Sequence, residues 1–189
     1  MRKITALLIA LVLALVLMCA PALAAGVNNI THDFEDFTLT FPEDEYLEEA
    51  EKTESAAYFL IYSTATSSEN FTNNLNCIWS SDVRSVADVD PQELLDYTVT
   101  IIGEQLESMG FKIDNMTGDS AERIELDGRD AIVLTYSYGC DANGVHLDFK
   151  NRTLIVSGPD TGSYTFSITA ANDVGMDELT TILYSLKWK

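Results

Sequence analysis

Asp127-Gly128 stands between two runs of strand character, AERIEL (121–126) and DAIVLTYSY (130–138). A two-residue Asp-Gly link suits a tight hairpin, because both residues tolerate the left-handed backbone such a turn needs. The pair makes the flanking strands antiparallel neighbours. CDANG (140–144) then turns into VHLDFKNRTLIVS (145–157), and GPDTGS (158–163) turns into YTFSITAA (164–171). The second half of the chain therefore reads as an antiparallel run. In the long strand, Val145, Leu147 and Phe149 are odd-numbered whereas Leu154 and Val156 are even. That change of parity predicts a bulge or bend near Lys150 to Arg152.

Upstream, FTLTFP (37–42) alternates apolar and polar residues and stops at a proline, as a first strand would. The acidic run EDEYLEEAEKTES (43–55) predicts one or two solvated helical turns around Tyr46, Leu47 and Ala50. AYFLIYSTA (57–65) and NLNCIWSS (74–81) are strand candidates around a Ser/Asn-rich turn. The clearest helix is DPQELLDYTVTIIGEQLESMG (90–110), with Asp90 to cap it, Pro91 in its first turn and Gly110 to end it. Leu95, Val99, Ile102, Leu106 and Met109 form its buried stripe. Gly103 inside it costs about 1 kcal/mol against alanine and points to close packing. A closing helix is expected over MDELTTILYSLKW (176–188), with Leu179, Ile182, Leu183 and Leu186 inward.

The first residues have the layout of a secretory signal. Arg2 and Lys3 precede the apolar run Ala6 to Met18, and Ala22 and Ala24 supply the small residues of a cleavage site between Ala24 and Ala25. The run is short for a membrane span, and no later stretch is long enough for one. Cys19 stands where a lipid would attach, but Met18 occupies the position that such a signal gives to a small residue. Residues 25–36 are expected to be a flexible leader, and 37–189 a single domain.

The net charge of −19 disfavours nucleic-acid and anionic membrane-surface partners and keeps an exported chain soluble. The acidic run 43–55 is also a candidate for weak cation binding. Two cysteines remain after the leader, Cys77 and Cys140. An oxidising exterior favours a disulfide between them, which would close a loop of roughly sixty residues and contribute about 4 kcal/mol. Two small buried thiols that never meet are equally compatible with the sequence.

The strand FTLTFP, the mid-chain amphipathic helix, the hairpin LDGRDAIVLTYSY, the strand GSYTFSITAA and the closing LTTILYSLKW together resemble the PsbP-like superfamily, which includes bacterial DcrB-like exported proteins. The resemblance covers about residues 37–189. It implies an α+β fold: an α/β/α sandwich with a twisted, mostly antiparallel sheet and helices on both faces. Known members are largely non-enzymatic, among them extrinsic photosystem II subunits and a nuclear-import factor that binds a small GTPase. The chain shows no thylakoid-targeting pattern, its export signal argues against a nuclear role, and the family offers no common catalytic motif or cofactor to carry over.

Catalytic options are few. His32 lies in the expected leader. His146 alternates with Asp148 and Lys150 on one strand face, and two ligands do not make a zinc site. No Gly-x-Ser-x-Gly elbow, phosphate loop or EF-hand spacing occurs. Sequons begin at Asn29, Asn70, Asn115 and Asn151, a short and permissive match. Thr135 and Ser137 continue a small-residue face from Ala131 and Val133, while Thr165, Ser167 and Thr169 make a polar row on the last strand. Were the two rows adjacent and uncovered, they would line a shallow polar groove. The expected function is an exported, non-enzymatic binding or assembly module at a bacterial cell surface, with a protein or envelope component as partner. The alternative is a secreted hydrolase using carboxylates or His146.

Overall fold

The structure, a computed structural model, describes residues 29–34, 36–42, 46–52, 56–62, 67, 71–80, 86–142, 144–158 and 162–189. The Ala24–Ala25 cleavage site and Cys19 lie outside them.

The frame is a seven-stranded sheet. Its strands are β3 (Tyr46–Lys52), β4 (Ala56–Tyr62), β5 (Asn74–Ser80), β6 (Lys112–Leu126), β7 (Arg129–Ala142), β8 (Val145–Ser157) and β9 (Ser163–Ala170), in the order β3-β4-β5-β9-β8-β7-β6. Every neighbouring pair is antiparallel. A second sheet of β1 (Asn29–Asp33), β2 (Phe37–Pro42) and β10 (Lys187–Trp188) has β2 in the middle.

Helix α1 (Pro91–Ser108) covers one face of the large sheet at β6 and β7. Asp90 caps it, its carboxylate accepting from the amides of Gln92 and Glu93 at 2.9 and 3.0 Å. Leu95, Ile102 and Leu106 bury beside Ile132, Leu134 and Tyr136, each side chain contributing about 1.5–3 kcal/mol. Helix α2 (Asp173–Tyr184) covers the other face, together with β2. There Phe37, Leu39 and Phe41 meet Leu179, Ile182, Leu183 and Leu186 over Leu75, Leu154 and Phe166. The helices thus lie on both faces of a twisted antiparallel sheet.

The Asp-Gly hairpin is as expected, with φ of +49° at Asp127 and +82° at Gly128. It also holds the C-terminus. The Asp127 carboxylate accepts from the Trp188 amide at 2.8 Å and from Lys187 Nζ at 3.3 Å, and the Arg129 guanidinium sits 4.1 Å over the Trp188 ring.

Several expectations are corrected. Residues 29–33, placed in a flexible leader, form β1 and pair along β2. His32 stacks on Phe41 at 3.9 Å between ring centroids, so the leader's end belongs to the fold. The acidic run forms strand β3, not helical turns, because the edge of β4 offers it backbone hydrogen-bond partners along its length, with one register shift between Glu48 and Glu51. Its proposed cation binding depends on side chains outside the described residues. The closing helix ends at Tyr184, and Lys187-Trp188 leave it to pair with β2.

No bulge interrupts β8. Its register with β7 is continuous from Val145↔Ala142 to Val156↔Ala131. The parity changes because the strand buries opposite faces at its two ends. Phe149 packs on the α1 side, whereas Leu154 and Val156 pack on the α2 side.

Candidate functional site

Register across the central strands assembles a polar patch that no single strand reveals. Asn74, Thr169, Asn151 and Tyr136 form one row across β5, β9, β8 and β7. Asn76, Ser167, Thr153 and Leu134 form the next, and Ile78, Thr165, Ile155 and Ile132 the third. These rows lie on the α1 side, where Ile78, Ile132, Leu134 and Tyr136 are core residues. Asn74, Asn76, Asn151, Thr153, Thr165, Ser167 and Thr169 are all buried, none more than 4% exposed.

Part of this patch pairs internally. Thr169 Oγ1 donates to Asn151 Oδ1 at 3.0 Å, Thr153 and Ser167 share a hydroxyl hydrogen bond of 3.2 Å, and Asn74 Nδ2 donates to the Thr72 carbonyl at 3.2 Å. Among the described residues, the remainder has no hydrogen-bond partner: Asn74 Oδ1, both amide atoms of Asn76, Asn151 Nδ2 and Thr165 Oγ1. Each such atom costs about 1–3 kcal/mol if nothing replaces the water it lost. Several on one patch is far from the usual satisfaction of buried polar groups. Aromatic residues flank it. Burial pushes the Tyr136 phenol up to about 12 despite its hydrogen bond to Thr153, and burial also raises Tyr138. Phe71 and Phe149 meet edge to face at 4.7 Å.

The groove expected from Thr135, Ser137, Thr165, Ser167 and Thr169 does not form. Thr135 and Ser137 pair opposite Arg152 and Lys150, on the α2 side, whereas Thr165, Ser167 and Thr169 face the α1 side. Thr135 and Ser137 instead bond Ser120 and Thr117 of β6, at 2.7 and 3.0 Å. The disulfide fails for the same geometric reason. Cys77 and Cys140 are free thiols on opposite faces of the sheet, with β9 and β8 between their strands. Burial raises the pKa of both, so neither is an activated nucleophile. Asn151, one of the four sequon residues, is buried.

A second cluster surrounds His146. Its Nδ1 lies 2.8 Å from Asp141 Oδ1, and its Nε2 lies 3.6 Å from Asp148 Oδ1 and 4.0 Å from Asp114 Oδ1. Gly139, opposite both Asp114 and Asp148, makes room; a Cβ there would overlap Asp114 Oδ1 and crowd His146 Cε1 at 3.0 Å. The hydrogen bond to Asp141, then the charges of the three aspartates, raise the imidazole's pKa. All four side chains are about half exposed or more. Among the described residues, no group of three or more His, Cys, Asp or Glu side chains is placed to hold a metal ion. No described helix is long and apolar enough to cross a membrane.

Sequence reasoning missed Asn74, Asn76, Asn151 and Thr153. Asn74 and Asn76 alternate with Leu75 and Cys77, a pattern that a strand with one wet face also shows.

No family model matches the chain, and no curated protein matches it. Among solved structures, the chain is similar to cyanobacterial PsbP (CyanoP) from Synechocystis sp. PCC 6803, with a TM-score of 0.59 at 12% identity over 92% of this chain and 99% of that one. It is more loosely similar to a protein from Bacteroides thetaiotaomicron, with a TM-score of 0.46 at 17% identity over 81% of this chain and 45% of that one. LpqN of Mycobacterium tuberculosis, described as involved in cell envelope biogenesis, gives 0.45 at 18% identity over 86% and 90%. With an antiparallel sheet between α1 and α2 and an overall similarity to cyanobacterial PsbP, the chain has the PsbP-like fold.

Proposed function

We propose that the chain is an exported, non-catalytic binding or assembly module that works at a bacterial cell surface or envelope, on a protein or envelope component. The observation that carries this reading is the chemistry of the buried patch. Its unpaired groups are neutral amides and a hydroxyl, which recognise a partner by hydrogen bonding and exchange no proton near neutral pH. Burial holds both thiols in their inert form, which is in keeping with that reading. The basic start, apolar run and small-residue cleavage site support export. Affinity capture from the native envelope, followed by mass spectrometry, tests the proposal. The expected result is a saturable, specific partner; turnover of an envelope polymer by the purified protein would overturn it.

One observation favours a second reading, a hydrolase with His146 as base: three aspartates surround its imidazole. The exposed strand face argues against this, since it gives a reacting group little shelter from water. Hydrolysis that disappears in His146→Ala would establish the second reading, and activity unchanged in that variant would remove it.

A further inference from the structure

The inference rests on the reading of the chain as a binding module and deepens it. We infer that the buried patch of Asn74, Asn76, Asn151 and Thr165 is a binding site for a small uncharged ligand that presents a hydrogen-bond donor and acceptor side by side.

The ligand chemistry follows from the unpaired atoms. Asn76 leaves both Nδ2 and Oδ1 free, so it can bond a neighbouring donor and acceptor on one molecule at once. Asn74 adds an acceptor, Asn151 a donor and Thr165 a hydroxyl that serves either way. The three rows contain no charged side chain on this face. An ionic ligand would therefore be buried without a counter-charge, which a dry site does not tolerate.

The size follows from the sheet. Asn76 and Asn151 stand on β5 and β8, separated only by β9, so the patch spans about 10 Å at the usual strand spacing. Tyr136, Tyr138 and Phe149 at one side, with Ile78, Ile132 and Ile155 at the other, supply apolar flanks. A few placed polar groups between apolar walls are what small-molecule sites generally present. Because the patch is buried, association requires local opening and should be slower than diffusion.

Two neutral sources share the required chemistry, a vicinal diol and a cis-amide edge. D-glucose and cyclic diglycine are the respective probes, with glucose 6-phosphate as the charged control. Calorimetry on the purified protein should show saturable binding of one neutral probe and none of the phosphate. Asn76→Leu should weaken that binding at least tenfold and Thr165→Val several-fold. Both variants should still melt at or above the parent temperature, because they remove unpaired buried polar atoms. Two results would overturn the inference: neither neutral probe binding the parent protein, or binding undiminished in both variants. Thr165→Val keeps the test decisive should Asn76→Leu fail to fold. Envelope capture repeated with a folded variant separates the two readings. A partner still captured after failure of the neutral probes leaves the binding-module reading standing and removes the ligand site alone.

Discussion

Gly118→Ala should destabilise the protein, and the reason is one side chain. Gly118 lies on β6 directly beneath α1, and a Cβ there would stand 2.9 Å from Leu95 Cδ2, 3.0 Å from Leu95 Cγ and 3.5 Å from Leu95 Cδ1. Leu95 is 1% exposed and packed in the α1-side core, so making room disturbs its packing or lifts the helix. Overpacking of this kind costs about 1–3 kcal/mol. Replacing a strand glycine returns about 0.5–1 kcal/mol of backbone entropy. The net loss is then at most about 2.5 kcal/mol, with each kcal/mol lost worth about 2–4 °C in melting temperature for a domain of this size. Urea melts should show a lower midpoint at unchanged slope. Leu95→Ala removes the clashing atoms and alone should cost about 2–5 kcal/mol. The double variant should therefore be more stable than the sum of the singles by about 1–3 kcal/mol. Strict additivity with Leu95→Ala, or a Gly118→Ala variant more stable than the parent, would refute the claim that Gly118 sets the helix-to-sheet distance.

Gly103→Ala should have the opposite sign. The added Cβ meets only Met116 Cε at 3.8 Å, an ordinary contact, so a gain of about 0.5–1 kcal/mol in a denaturant melt is expected. His146 should titrate above the ordinary value near 6.5 by NMR, and Asp141→Asn should bring it down. Its raised folded pKa makes its contribution to stability complete below about 6.5 and lost as pH rises through the folded value. His32, lowered by burial, acts in reverse: its contribution is present above about 6.5 and lost as pH falls through its folded value. Asp127→Asn should keep the turn, since Asn accepts the left-handed backbone, while the Trp188 amide exchanges faster with deuterium. Thiol labelling should modify Cys77 and Cys140 only after unfolding; a Cys77–Cys140 bridge in non-reducing peptide maps would contradict the fold.

The elements legible in the sequence are those that neighbouring residues decide. Asp90, Pro91 and the Leu95–Ile102–Leu106 stripe suffice for α1, and Asp127-Gly128 suffices for the hairpin, because capping, periodicity and turn geometry act within a few residues. Strand β3 was not legible, since its strand character depends on the edge that β4 presents more than on its own composition. Gly103 was read as a close contact because local reasoning sees the cost of a glycine, not what faces it; the close contact is at Gly118.

The faces of the sheet were illegible for a more general reason. Parity along one strand says which residues share a side, but the relation between strands depends on register, a non-local quantity. Ala131 and Thr165 are both odd-numbered, yet Ala131 belongs to the α2-side core while Thr165 stands beside Ile78 and Ile155 on the α1 side. The same sign error would assemble a groove from Thr135 and Thr169, both odd-numbered but on opposite faces. Once register is known, the hydroxyls of β9 meet the amides of β5 and β8, and residues that looked like the wet face of an outer strand become the buried polar centre of the sheet. An edge strand would place Asn74 and Asn76 in water at little cost, whereas β5 lies between β4 and β9, where their unpaired amides are costly unless something binds them.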